Sequence, residues 1–71
     1  MTVLRLHRDL YQSAALDEAL GVFAPHGTFE RKDEPGHWVV EITARNPERE
    51  RRIAGELGNY ALGLTTKGRK R

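Results

Sequence analysis

Histidines are the side chains best suited to acid–base or metal chemistry near neutral pH, and the chain carries three of them, His7, His26 and His37. Metal motifs usually place a second His or Cys roughly two to four positions away. No histidine here has such a neighbour, and the chain contains no cysteine. We therefore expect no metal site and no thiolate nucleophile. His7 and His37 are interpreted as solvent-facing strand residues and His26 as a turn residue.

Ser13 is the only serine in the sequence, and no Gly-x-Ser-x-Gly pattern of a hydrolase surrounds it. A position at the start of a helix explains it equally well, because a serine hydroxyl accepts hydrogen bonds from free backbone N–H groups there. Carboxylates are numerous, but a chain of 71 residues is too short for the deep cleft that tunes a catalytic pair. The sequence therefore predicts a non-catalytic protein without a cofactor.

Eight of the twelve cationic residues form two groups, a C-terminal group in residues 67–71 and a cluster of arginines in residues 45–52. The C-terminal group produces the formal charge of +2, since residues 1–66 hold eight Lys and Arg against ten Asp and Glu. Glutamates interrupt the arginine cluster, which is typical of a solvated helix face. Because both groups are cationic, nucleic-acid binding through them is the alternative function. The arginine cluster comprises Arg45, Arg49, Arg51 and Arg52.

Hydrophobic periodicity predicts the elements that position these residues, in the order β-α-β-β-α. Residues 2–7 alternate as a half-buried strand does, and apolar residues then recur at helical spacing up to Phe23. Residues 28–32 and 37–43 form a hairpin around the turn Asp33-Glu34-Pro35-Gly36. A second helix follows this hairpin.

The ends of the two helices carry their own signals. Asp9 or Ser13 is expected to cap the first helix, while Asn46-Pro47 combines a capping residue with a proline at the first helical position. Gly63 is expected to end the second helix. We therefore divide the chain into a single domain, residues 1–64, and a basic disordered tail, residues 65–71.

The fold class predicted is an α+β two-layer open-faced sandwich, with a three-stranded antiparallel sheet in the order 1-3-2 and both helices on one face. Trp38, Val40 and Ile42 should face the helices. The opposite face carries Val3 and Val39 among polar residues and is a second possible binding surface.

Length and hydropathy limit where the protein can be located and how it can assemble. No apolar run approaches the roughly 18 residues of a membrane span, and the N-terminal stretch carries charges. We expect a cytoplasmic protein that does not enter a membrane. A core this small gives limited stability, so docking on a partner or forming a homo-oligomer are both open.

Two segments resemble the His-Xaa-Ser system D family. Residues 10–19, Leu-Tyr-Gln-Ser-Ala-Ala-Leu-Asp-Glu-Ala, are similar to its tyrosine-initiated first helix. Residues 55–62, Gly-Glu-Leu-Gly-Asn-Tyr-Ala-Leu, resemble its Glu-Phe-x-Asn-x-x-Leu segment, with Leu57 where Phe is commoner. The strand-turn-strand between them matches in order and spacing.

This resemblance implies an accessory protein that works beside radical S-adenosylmethionine enzymes, which modify a peptide carrying His-Xaa-Ser repeats. The chemistry would belong to those enzymes, and this chain would bind the precursor peptide or the maturase. Nucleic acid is the less favoured partner. The residues that the resemblance singles out for partner binding are Tyr11, Glu56, Asn59 and Tyr60.

Overall fold

The computed structural model describes the backbone of residues 1–69 and the side chains of residues 1–67. Its elements are three strands and two helices, with a short 3₁₀ turn, Ala24–His26, after the first helix. They follow in the predicted order β-α-β-β-α. Their bounds are β1 Thr2–His7, α1 Ser13–Phe23, β2 Thr28–Arg31, β3 His37–Thr43 and α2 Pro47–Arg69.

The sheet has the predicted order, with β3 in the centre and antiparallel to both neighbours. Leu4 on β1 and Arg31 on β2 both pair with Val40, so alternate residues of the three strands share one face. The turn between β2 and β3 places Gly36 at a φ of 87°, a left-handed conformation that suits glycine.

Both helices cover one face of the sheet, which confirms the predicted two-layer sandwich. Val40 and Ile42 of the central strand are fully buried against the helices, with Trp38 half-buried beside them. The buried apolar cluster comprises Leu6, Leu16, Ala19, Val40, Ile42, Ile53, Ala54, Leu57 and Ala61.

The predicted division at residue 64 is wrong, because α2 continues through residue 65 to Arg69. Thr65 is 1% exposed, and its hydroxyl accepts the backbone N–H of Gln12 at 3.0 Å. This contact packs the later part of α2 against the start of α1. Gly63 therefore does not end the helix. Residues 70 and 71 of the predicted tail lie outside the described residues.

The predicted cap of α1 is also wrong. The helix begins at Ser13, the residue before it is Gln12, and no side chain caps it. The Ser13 hydroxyl instead accepts a hydrogen bond from Arg31 at 3.2 Å. The prediction for α2 is confirmed, since Asn46 Oδ1 accepts the backbone N–H of Arg49 at 2.8 Å.

The uncovered face of the sheet is held by ion pairs within the chain. Arg5 pairs with Glu34, and Lys32 lies 3.8 Å from Glu41. Between them Val39 is only 5% exposed. Val3 on the same face is 47% exposed, so one apolar side chain there remains accessible to a partner.

Candidate binding cleft

A shallow cleft lies between the end of α1 and the first turns of α2. We call it the α1–α2 cleft, and its volume is about 270 Å³. This is slightly below the roughly 300 Å³ at which small-molecule pockets begin, so the cleft suits one or two side chains of a partner. Its lining residues are Phe23, His26, Arg49, Arg52, Ile53 and Glu56.

The 3₁₀ turn, Ala24–His26, brings His26 to the rim of the cleft. Pro25 is the second residue of this turn and has a fixed φ, and Gly27 follows in an extended conformation. A Cβ at Gly27 would lie 2.8 Å from the carbonyl oxygen of Thr43. Glycine is therefore required for the chain to pass this close to the end of β3, and the close passage places His26 beside α2.

The start of α2 is fixed by a buried carboxylate. Glu50 is 4% exposed, and its Oε2 accepts the backbone N–H of Ala44 at 3.0 Å. Its Oε1 accepts the hydroxyl of Thr2 at 3.0 Å and lies 3.1 Å from the Met1 ammonium. The Ala44 N–H, followed by the ammonium and the hydroxyl, lowers the pKa of Glu50 despite its burial. Glu50 thus holds the β3–α2 connection in place.

Three arginines occupy the surface around this connection. Arg49 and Arg52 line the cleft, and Arg45 and Arg49 line an adjoining groove beside the 3₁₀ turn. All three are exposed, and within residues 1–67 none of their side chains forms an ion pair or hydrogen bond. The guanidinium groups are therefore available to an anionic ligand.

An aromatic cluster forms the other wall of the cleft. The half-buried ring of Phe23 packs edge-on against Tyr60, with the ring centroids 5.9 Å apart. His26 packs against the opposite side of the cluster, 6.2 Å from Phe23. Tyr60 remains 39% exposed, so its ring presents apolar surface and a hydroxyl next to the Phe23 wall of the cleft.

The structure brings together two of the four residues that the resemblance singled out. Glu56 lines the cleft, and Tyr60 contacts its Phe23 wall. Asn59 is exposed on the same helix, three positions after Glu56. Tyr11 lies at the other end of the sandwich, where it is half-buried and its carbonyl accepts the Trp38 indole N–H at 2.8 Å.

Sequence reasoning missed His26 and Phe23 as parts of this site. Phe23 fits the apolar stripe of α1, so its spacing indicates a core residue. His26 lies next to a helix stop signal, so its position in the sequence predicts an ordinary turn residue. Pro25 and Gly27 are the sequence signal that links His26 to Phe23. Together they predict that the chain turns back tightly past the end of the first helix.

Metal binding would require clustered histidines or carboxylates, and membrane insertion would require a long apolar helix. His7 and His37 lie side by side on β1 and β3 with ring centroids 4.4 Å apart and ring planes tilted by 44°, yet residues 1–69 contain no group of three His, Asp or Glu placed to hold a metal ion. In the same part of the chain, neither helix has both the length and the hydropathy needed to cross a bilayer. No family model, curated protein or solved structure matches the chain.

Proposed function

We propose that this chain is a non-catalytic module that binds a peptide or protein partner at the α1–α2 cleft. The observation that carries the proposal is the combination of an aromatic wall, formed by Phe23 with the exposed ring of Tyr60 packed against it, and two lining arginines that have no partner in residues 1–67, Arg49 and Arg52. Aromatic residues and arginine are the types most enriched at the energetic centre of protein interfaces.

The resemblance to His-Xaa-Ser system D proteins supports a more specific role. In that role the partner is the precursor peptide with its His-Xaa-Ser repeats, or the radical S-adenosylmethionine enzyme that modifies it. The protein would then act in the cytoplasm and contribute recognition, while the enzyme contributes the reaction. Glu56 and Tyr60 both belong to the resembling segment, and in the fold Glu56 lines the cleft while Tyr60 packs against its Phe23 wall, so one surface would serve this role.

Binding of a labelled His-Xaa-Ser-repeat peptide, and of the maturase, tests the proposal by fluorescence anisotropy. We expect Tyr60→Ala to weaken binding at least about tenfold, as loss of an interface anchor does. Leu62→Ala is the matched control, because Leu62 is 41% exposed on the same helix, close to the 39% of Tyr60, and is not part of the aromatic cluster that walls the cleft. Equal affinities for the two variants would show that the cleft is not the binding surface.

Nucleic-acid binding is the second candidate, and the exposed arginine cluster favours it. The two cationic groups stand at opposite ends of α2, however, since Arg49 and Lys67 are about 27 Å apart along the helix. A nucleic acid that uses both would have to span this length. Its affinity should fall steeply with added salt, and both Arg49→Gln and Lys67→Gln should reduce the slope of that dependence.

A further inference from the structure

We infer that the partner segment bound at the α1–α2 cleft is acidic, with Asp or Glu side chains set against Arg45, Arg49 and Arg52 and an apolar side chain set against Phe23. This inference rests on the proposed function and specifies the chemistry of its ligand. It follows from the charges around the cleft, from their spacing and from the position of the aromatic wall.

The spacing of the arginines suits a short carboxylate-bearing segment. Arg49 and Arg52 are three positions apart and therefore project from the same side of α2. Arg45 precedes the helix and borders the adjoining groove with Arg49. The three positions span about 10 Å, which is the reach of two or three residues of extended peptide. Each planar guanidinium can bind one carboxylate through two hydrogen bonds.

Within residues 1–67, no carboxylate forms an ion pair with these three arginines. The nearest buried carboxylate, Glu50, is occupied by the Ala44 N–H, the Thr2 hydroxyl and the Met1 ammonium. The cleft also lies beside the first turn of α2, where the helix dipole adds positive potential. A carboxylate ligand therefore meets favourable charge from both the side chains and the backbone.

Two glutamates argue against a phosphate backbone as the occupant. Glu56 lines the cleft beside Arg52, and Glu48 borders the other side of the same arginine. A continuous chain of phosphates would pass close to both carboxylates. A peptide can avoid them, because it can place its acidic residues toward Arg45 and Arg49 and an uncharged residue beside Glu56.

The aromatic wall defines the second part of the ligand. Phe23 is half-buried and makes edge-on ring contacts with Tyr60 and His26, so its remaining exposed surface is apolar and fixed in position. An apolar or aromatic partner side chain can cover that surface while neighbouring carboxylates reach the arginines. The ligand class is therefore an acidic peptide with an apolar anchor.

The test uses three labelled probes with the full chain: a peptide of alternating Glu and Phe, its isosteric Gln and Phe counterpart, and a single-stranded oligonucleotide. We expect the Glu peptide to bind at least about tenfold more tightly than the Gln peptide. Arg49→Gln and Arg52→Gln should each weaken the Glu peptide about tenfold, as loss of one hydrogen-bonded charge pair does. Circular dichroism of each variant verifies that it is folded.

Arg51→Gln is the matched control, because it removes one charge from the same turn of α2 and Arg51 does not line the cleft or the adjoining groove. It should leave the affinity for the Glu peptide within about twofold. Equal binding of the Glu and Gln peptides, or equal effects of Arg51→Gln and Arg49→Gln, would overturn the inference. Binding of the oligonucleotide in preference to the Glu peptide would also overturn it.

These outcomes separate the inference from the proposed function. If Tyr60→Ala weakens the His-Xaa-Ser peptide or the maturase and Arg49→Gln does not, the cleft is a binding surface whose ligand is not acidic. If neither variant affects those partners and the Glu peptide still binds through Arg49, the cleft recognises acidic segments of another protein.

Discussion

Arginines at the two ends of the sandwich have different surroundings. At the hairpin end, near the β2–β3 turn, Arg8 donates to the Glu34 carbonyl at 2.9 and 3.1 Å and lies 4.2 Å from the centre of the Trp38 ring. At the cleft end, Arg49 and Arg52 have no such partner within residues 1–67. At the hairpin end the arginines stabilise the fold, whereas at the cleft end they are exposed to solvent.

Arg31 shows how completely a cation is engaged at the hairpin end. Burial opposes its charge, but hydrogen bonds to Asp33 at 2.7 Å and Asp17 at 2.6 Å outweigh that effect and raise its pKa. The same contact with Arg31 lowers the pKa of Asp33. Because α1, β2 and the turn all contribute to this network, its loss should destabilise the fold rather than alter binding.

The largest effect is expected from Trp38→Ala, which removes the ring between Arg8 and Arg31 and its hydrogen bond to the Tyr11 carbonyl. We expect the free energy of unfolding to fall by about 3 kcal/mol, at the lower end for a large aromatic residue because the ring is half-buried. Urea denaturation followed by far-ultraviolet circular dichroism measures this loss without needing the tryptophan.

Trp38→Phe is the control for that experiment, since it keeps an aromatic ring while it loses the indole N–H donor and part of the ring surface. Its cost should be about 1 kcal/mol. If Trp38→Ala also lowers the free energy of unfolding by less than this amount, the contacts at the hairpin end do not stabilise the fold as the structure indicates.

Glu50→Gln tests the cleft end of the comparison. Glu50 holds the β3–α2 connection in place but is not part of the proposed ligand-binding surface. Its pKa is lowered in the folded protein, so the stability that it contributes is present above its ordinary pKa of 4.5 and disappears as pH falls through the lowered value. Thermal unfolding should therefore show a destabilised variant at about pH 7 and a much smaller difference at about pH 3. A difference that does not depend on pH would contradict the role of the ionised carboxylate.

Arg31→Met should have a smaller effect, because one of its partners, Asp17, is 65% exposed. We expect a loss of about 1 kcal/mol in urea denaturation, since solvent screens the pair and the methionine retains part of the packing. Arg5→Met is the control, as the Arg5–Glu34 pair is exposed on both sides. A loss at Arg5 equal to that at Arg31 would mean that the Arg31 network adds nothing beyond an ordinary surface pair.

The sequence was sufficient for the topology because the relevant signals are local. The alternation around Trp38, Val40 and Ile42 predicts the buried central strand, and Asn46-Pro47 predicts the start of α2. Both features depend on residues that are neighbours in the chain. The structure confirms each of them.

The two errors at helix ends have one common cause. The hydroxyl of Thr65 accepts the backbone N–H of Gln12, across 53 positions of sequence. This contact supplies an acceptor at the start of α1 where a local cap was expected, and it buries a residue that was assigned to a disordered tail. No local pattern encodes such a contact, so the sequence could not predict it.

The cleft was predictable only in part, because some of its residues are close together in the sequence and others are not. Glu56 and Tyr60 lie on one segment of α2 that the resemblance covers, whereas His26 reaches the cleft only because Gly27 permits a close passage beside Thr43. The sequence also contains no sign that Arg49 is without a partner and Arg8 is engaged. That difference arises from the position of the Glu34 carbonyl and the Trp38 ring in the folded chain.

Arg49→Gln should have the smallest effect on stability, and this contrast with Arg8→Gln tests the comparison most directly. Arg8→Gln removes two hydrogen bonds and the contact with the Trp38 ring, so it should lower the free energy of unfolding by about 1 kcal/mol. Arg49→Gln removes no contact with another side chain in residues 1–67 and should change it by less than about 0.5 kcal/mol.

Urea denaturation of the two variants, side by side with the unmodified chain, measures both values. A slight gain in stability for Arg49→Gln is consistent with our view of the cleft end, because removing one cation relieves repulsion from Arg45 and Arg52. A loss as large as that of Arg8→Gln would mean that Arg49 already holds the fold together. The distinction between structural and ligand-binding arginines would then be lost.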